Sequence, residues 1–485
     1  MNGTRSIAVV GGGLTGLAAA HHLGELIEAK QLPIEVTLFE ASSRVGGVFG
    51  TLHIDGHIVE TGADSFITNK PWAVDLCKRL GLEDQLISTN SEYQRSFILY
   101  EGRPVQTPDG FELLVPRKLR ALLSSPFLSP QGKLDIANEA FVPPRTDEAD
   151  ESLADFTRRR FGQEMLDRIV QPMVGGIYTA NPEHLSMQAT LPRYVNMERE
   201  HGSLLRAVWQ ERTSSEQDDS GGEMDPPSGI SGARYGLFAS LKDGMSRLLD
   251  ALEQRVRSIA RVELESPVLS VAPQSSGGYR VTTSGGEAST YDGLILALPA
   301  HRSGQLITEW DTSLAERLSQ IPYASSAILV SAHNLSDIEH PLNAFGLVIP
   351  HQEKRKVLAV SFLSRKFKGR SPDETIQLRT FVGGAMQPEL FERDDASLIA
   401  MVRKELRDIL GVRGEPLFHH LARYERAMPQ YHVGHLDLVA DIERREAEHR
   451  GLALAGNAYR GVGVPDSVHS GEQAAARVFN ELAIG

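Results

Sequence analysis

One cysteine, Cys77, stands in a chain of 485 residues. It can form no intramolecular disulfide and no cysteine-based metal cluster, and a reducing, cytoplasmic setting is the simplest expectation. Basic residues are in deficit: 50 Lys and Arg face 63 Asp and Glu, a net charge of −13. That balance argues against nucleic acid, whose phosphates need clustered cations. It also leaves little attraction to an anionic membrane outside a local basic patch. No apolar run reaches the ~18 residues that span a bilayer. The charged start leads straight into a strand and a glycine loop, without the apolar stretch of a secretory signal. Aromatic residues make up only 6% of the chain. What is there, 41% hydrophobic and 23% charged residues, is the balance of a globular protein with room for two or three domains.

The first forty residues read as a βαβ unit. Residues 6–10 are a short apolar strand, 11–16 a glycine loop, 17–28 a helix and 33–39 a second strand ending at Glu40. A hairpin follows at 53–59, turning on Asp55-Gly56. Residues 113–209 read as mainly helical, with amphipathic stretches at 118–123, 133–140 and 154–169. Residues 213–232 are rich in Ser, Gly, Pro, Asp and Glu, the composition of a flexible surface insertion. Helical spacing resumes over 237–259, and strands are expected at 268–271, 279–283, 293–298 and 376–382. A strand at 452–456, another glycine loop and a helix from about Ser467 close the chain. A dinucleotide fold that opens near Ser6 and is completed at the C-terminus must be discontinuous, with other domains inserted.

Gly11, Gly13 and Gly16 form Gly-x-Gly-x-x-Gly between strand and helix, with Leu14 and Thr15 opening the helix. The first glycine permits the tight turn, the second lets backbone approach a pyrophosphate, and the third lets helix and strand pack closely. N–H groups at the helix start then hold phosphate charge. Glu40 stands 24 residues after Gly16, where a carboxylate accepts ribose hydroxyls and repels a 2′-phosphate. Two further features favour FAD over NAD. Arg44-x-Gly46-Gly47 follows Glu40, with an arginine able to reach phosphate oxygens. Gly456-Asn457 and Gly461-Val462-Gly463-Val464 precede the last helix, whose N-terminus could face the pyrimidine edge of a flavin. Each feature alone is also compatible with an ordinary turn.

These motifs resemble the FAD-dependent protoporphyrinogen/coproporphyrinogen oxidases of the monoamine-oxidase-like flavoprotein superfamily. The most specific segment, Gly175-Gly176-Ile177-Tyr178-Thr179-Ala180-Asn181-Pro182-Glu183-His184-Leu185-Ser186-Met187, is similar to that family's Gly-Val-Tyr-x-x-x-Pro-x-x-Leu-Ser-Met. Gln94-Arg95-Ser96-Phe97, Leu241-Lys242-Asp243-Gly244-Met245 and Ala427-Met428-Pro429-Gln430-Tyr431 extend the resemblance over most of the chain. Gly62-Ala63 stands where the family commonly has Gly-Pro, and Ser467 where it often has Cys.

The resemblance implies an α/β fold, α+β overall. A Rossmann-like FAD-binding domain would comprise residues 1–65, 233–300 and 440–485, with Val268 among its cofactor contacts. A substrate-binding sheet domain would hold 66–91 and 301–439, a mainly helical, membrane-contacting domain 92–212, and 213–232 the insertion. FAD would be bound non-covalently. A porphyrinogen would lose six electrons in three hydride transfers to the flavin, with O2 reoxidising it to give H2O2.

Arg95 matches the family's propionate-binding arginine, and Lys70 resembles a lysine of the bacterial branch. Each is also an ordinary surface residue by type. Gly175-Gly176 reads either as a turn that brings carbonyls to the pyrrole N–H groups or as a helix cap. Tyr178 reads as cleft lining or as core. Leu119, Leu122, Leu123, Phe127 and Leu128, flanked by Arg117, Lys118 and Arg120, read equally as a membrane patch or as core. No catalytic base is legible among 16 histidines, and His21-His22 and His419-His420 read as structural. An amine or amino-acid oxidase of the same superfamily is the alternative, though such enzymes set an aromatic pair against the flavin and the terminal loop here carries only Tyr459. A flavin-free binding protein on the same fold is disfavoured by the intact glycine loops.

Overall fold

The computed structural model describes residues 4–217 and 238–483. β1 (Arg5–Val10), α1 (Leu14–Lys30) and β2 (Ile34–Phe39) form the expected βαβ unit. β1 is the middle strand of a five-stranded parallel sheet. Its order is Arg261–Glu263, β2, β1, Gly293–Leu296 and Leu452–Leu454. The strands thus come from three distant stretches of chain, which is the discontinuity inferred from motif placement. A parallel sheet is buried on both faces, hence the unbroken apolar runs Ile7-Ala8-Val9-Val10 and Leu294-Ile295-Leu296. One face packs α1, the helix Ser246–Arg257 and the C-terminal helix Val464–Ala483. The other packs a three-stranded antiparallel sheet, Val268–Pro273, Tyr279–Thr283 and Ala288–Tyr291, together with helices Ala300–Ile307 and His435–Glu446.

The hairpin joins Thr51–Ile54 to His57–Glu60, and both turn residues, Asp55 (φ 46°) and Gly56 (φ 77°), take positive φ as a tight primed turn requires. A seven-stranded, mostly antiparallel sheet forms a second body, running Phe418–Pro429, Tyr323–Asn334, Thr375–Gly383, Ala359–Phe362, Gly346–Val348, Phe97–Tyr100 and Arg103–Gln106. Helix Asp395–Leu410 seals one face. Helices between Leu119 and Gln217 build a separate core around Phe127, Phe156, Phe161 and Ile169.

Several sequence expectations need correction. The strands Phe97–Tyr100 and Arg103–Gln106 belong to the seven-stranded sheet, not to the helical region placed at 92–212. The stretch 237–259 opens with a strand, Phe238–Leu241, paired to Phe66–Ile67 and Leu86–Ser88, before its helix. Four apolar or small residues carry too little period to separate strand from helix. The last helix begins at Val464, with Pro465 in its first turn, where a missing N–H costs nothing. Helix Leu204–Gln217 runs into the stretch expected as an insertion, and residues 218–232 of that stretch lie outside the described residues. Leu122, Phe127 and Leu128 are buried in the helical core, with Leu119 and Leu123 partly buried against it, so the first three belong to the core rather than to a surface patch. Among the described residues no helix is long and apolar enough to cross a membrane, and no group of three metal-ligating side chains converges.

Candidate active site

The glycine loop after β1 is shaped around a phosphate. Gly11 sits at φ 108°, and a Cβ there would lie 2.4 Å from the Ala297 carbonyl oxygen. A Cβ on Gly16 would lie 1.8 Å from the Gly11 carbonyl oxygen, so helix and loop touch through backbone alone. Gly13 is the exception: a Cβ there would meet no protein atom within 4 Å. It is also the N-cap of α1, without a capping side chain and with no acidic residue in the first turn. The leading N–H groups, Leu14 and Thr15 among them, are therefore presented to an anion.

Glu40 closes the loop. Its Oε2 accepts the Gly12 N–H at 2.7 Å, and its Oε1 accepts the Ser42 N–H at 2.8 Å and the Ser42 hydroxyl at 2.7 Å. A carboxylate so held keeps one lone-pair site, on Oε2, for a ribose hydroxyl. The Ser266 N–H donates to the Glu40 carbonyl at 2.9 Å, which brings Val268 to the same end of the cradle. Gly46 donates to the Gly12 carbonyl at 2.8 Å and lies beside Gly13. Arg44 donates to the carbonyls of Val45, Gly47 and Phe49 at 3.0–3.1 Å. These bonds fold the loop and, among the described residues, leave two of the five guanidinium N–H donors uncommitted.

The terminal glycine loop is gripped from behind. The Tyr431 hydroxyl donates to the Asn457 carbonyl at 2.6 Å and accepts the Gly461 N–H at 2.8 Å. His435 stacks on Tyr431 with ring centroids 3.9 Å apart, and its Nε2 donates to the Tyr459 carbonyl at 2.8 Å. Burial depresses His435 to about 4, so the ring is neutral, and burial pushes the Tyr431 phenol well up. The Gly456 N–H donates to the Ser470 hydroxyl at 2.9 Å. Asp466 in the first turn of the last helix accepts the Gly463 N–H at 3.2 Å and pairs with Lys70 at 2.6 Å. Lys70 is thus a strap between two loops.

Segment 61–64 is tied to the seven-stranded sheet. The Tyr424 hydroxyl donates to the Thr61 carbonyl at 2.6 Å, and Arg379 donates to the Gly62 carbonyl. Ala63 packs on the nucleotide-domain core. Asp64 pairs with Lys366 at 3.0 Å and with Arg379 at 3.5 Å. Burial would raise the Asp64 carboxyl, but Lys366 and Arg379 outweigh it and hold the group well below the usual carboxylate range. None of these partners was legible in the sequence, because Asp64 and Arg379 lie far apart in the chain and no local motif joins them. Tyr431 stood inside a noted motif but gave no sign of its role.

Arg95 enters the sheet just before the strand Phe97–Tyr100. Its backbone carbonyl accepts the Phe345 N–H at 2.9 Å; among the described residues its guanidinium donates to the Glu92 carbonyl at 3.2 Å, and its Nε is buried without a partner. Gly175 and Gly176 are not a turn. They lie inside helix Gln171–Tyr178, and the Gly175 carbonyl accepts the Thr179 N–H at 2.9 Å. Gly176 nevertheless faces the Val348 side chain of the sheet. Tyr178 is partly buried against the helical core, with its hydroxyl on the Thr190 carbonyl at 3.3 Å.

Residues 14–479 match the family of flavin-containing amine oxidoreductases. The chain is 28% identical to coproporphyrinogen III oxidase of Bacillus subtilis (strain 168), over 99% of each chain. It is 31% identical to coproporphyrinogen III oxidase of Propionibacterium freudenreichii, over 98% of this chain and 90% of that one. Among solved structures, a provisionally named protoporphyrinogen oxidase from Exiguobacterium sp. 255-15 superposes with a TM-score of 0.85 at 28% identity, over 99% of both chains. A flavin family and a dinucleotide cradle together make the cofactor FAD. The chain belongs to the flavin-containing amine oxidoreductases and, within that family, groups with the porphyrinogen oxidases.

Proposed function

We propose that this flavoenzyme oxidises a porphyrinogen to the porphyrin, passing electrons to O2. Six electrons and six protons leave the substrate, and three O2 become three H2O2. Bound FAD supplies the two-electron acceptor for each round. The chain's own part is to place the macrocycle and to shape the field around the cofactor. Arg95 would hold a rim carboxylate, as a guanidinium suits carboxylate geometry. The Phe345 N–H that meets the Arg95 carbonyl and the Val348 that meets Gly176 lie three residues apart, Phe345 just before the strand Gly346–Val348 and Val348 at its end, about 10 Å at ~3.3 Å per residue. That spacing suits a flat macrocycle laid along the strand.

The last helix presents its N-terminal dipole at the terminal glycine loop, tempered by Asp466 and balanced by Lys70. The observation that carries the reading is Arg95: a partly buried guanidinium without a carboxylate partner among the described residues, on the sheet that also fastens segment 61–64. An amine oxidase is disfavoured because Tyr459, which would have to face the flavin, is buried in the core beside Ile442 and Leu452. The test is direct. Purified protein with flavin bands near ~375 and ~450 nm, given coproporphyrinogen III or protoporphyrinogen IX under air, should generate porphyrin fluorescence. A yellow protein that forms no porphyrin from either would refute the proposal.

A further inference from the structure

A second arginine shares the Arg95 site. Arg365 lies in the short helix Leu363–Lys366. Its guanidinium carbon stands 4.9 Å from the centroid of the Tyr93 ring, and Nη1 donates to the Tyr93 hydroxyl at 3.3 Å. Arg95 follows Tyr93 by two residues, its backbone N–H on the Tyr93 carbonyl at 2.6 Å, and the guanidinium charges of both arginines act on the Tyr93 phenol. In both arginines Nε is buried without a partner. Among the described residues neither has a carboxylate within ion-pairing distance, although the exposed Glu92 carboxylate reaches the Tyr93 hydroxyl. Their neighbours differ. Lys366 and Arg379 share Asp64, Arg370 faces Glu60, and Lys70 holds Asp466. Leaving two half-buried guanidinium groups without a carboxylate at ion-pairing distance costs stability, which an arriving anion would recover.

We infer that Arg365 is a second carboxylate-binding residue and forms, with Arg95 across Tyr93, a two-arginine clamp for the rim carboxylates of the substrate. The inference rests on the porphyrinogen reading. Tyr93 is the spacer: the Arg365 fork is preorganised by lying on its ring, which reduces the rotamer entropy lost on binding. The clamp recognises charge at the edge of the macrocycle and is indifferent to the ring.

The test uses the FAD-loaded enzyme, with Arg365→Gln and Arg365→Lys. Binding of coproporphyrin III and of its uncharged tetramethyl ester is followed by fluorescence, and coproporphyrinogen III turnover is measured alongside. A lost charge-assisted pair weakens the tetra-acid about tenfold. Arg365→Gln should therefore raise Kd for the tetra-acid and KM for the porphyrinogen about tenfold, leave ester binding unaltered and change kcat little. Arg365→Lys should recover part of the loss. Unchanged melting and flavin spectra would exclude misfolding as the cause. Equal weakening of acid and ester, or weakening of neither while the wild type turns over porphyrinogen, would overturn the clamp alone. A wild type that oxidises no porphyrinogen would bring down the porphyrinogen reading and the clamp with it.

Discussion

Replacing Gly13 by alanine should separate folding from cofactor binding. Gly13 has φ −70° and ψ 178°, extended backbone that any residue adopts. Its Cβ would meet no protein atom within 4 Å. Alanine should therefore cost the apoprotein nothing and even stabilise it by up to about 1 kcal/mol, by narrowing the unfolded ensemble. The same methyl would stand where backbone must approach the pyrophosphate. Pushing phosphate off the helix start should cost at least ~3 kcal/mol, or roughly two decades in FAD affinity. Gly16→Ala is the control: its Cβ would sit 1.8 Å from the Gly11 carbonyl oxygen, so helix and loop must part. The assay is thermal melting of both apoproteins, then FAD titration by flavin fluorescence. Gly13→Ala should melt like the wild type and bind FAD about a hundredfold more weakly, whereas Gly16→Ala should lose cooperative melting. Wild-type FAD affinity in Gly13→Ala, or a collapse like that of Gly16→Ala, would refute the assignment of this loop.

Tyr431→Phe should leave the Asn457 carbonyl and the Gly461 N–H without their buried partner, costing about 2 kcal/mol. FAD should dissociate ten- to thirtyfold more readily, and an unchanged off-rate in a flavin-release experiment would show that the grip does not reach the cofactor. Arg95→Ala should raise KM for porphyrinogen about tenfold with kcat nearly kept, and steady-state kinetics showing an unaltered KM would remove the arginine from the substrate site. Acid should weaken the fold before carboxylates titrate. Burial depresses His333 and His435 to about 4, while in the unfolded chain each binds a proton near ~6.5. The unfolded state thus holds more protons between those values, and stability falls as pH drops through that window, by up to about 3 kcal/mol for each ring. A melting temperature flat from pH 7 to 4.5 would contradict this.

Much of the nucleotide half was legible from local patterns. A strand, a glycine triplet and a helix in register, closed by Glu40, are a short-range device whose physics is complete within forty residues. The Asp55-Gly56 hairpin is local in the same way. The return of a strand and a glycine loop at the C-terminus was enough to infer a discontinuous domain. The segment around Tyr178 pointed to the right relatives, yet its glycines lie within a helix and Tyr178 itself is only partly buried.

What one-dimensional reading could not reach were partnerships between residues far apart in sequence. Lys70 looked like a free cation until Asp466 was found 2.6 Å away, 396 residues downstream. Arg44 gave no sign in the sequence that it would also engage three carbonyls of its own loop. Leu122, Phe127 and Leu128 had the composition of a patch and the burial of a core. Arg365, Arg379 and Tyr431 carried no motif of their own. Residue type and spacing determine backbone shape near a glycine or a turn, because those forces act within a few residues. Whether a charge is paired or waiting for a ligand depends on which strands the tertiary fold brings alongside, and only the folded chain decides it.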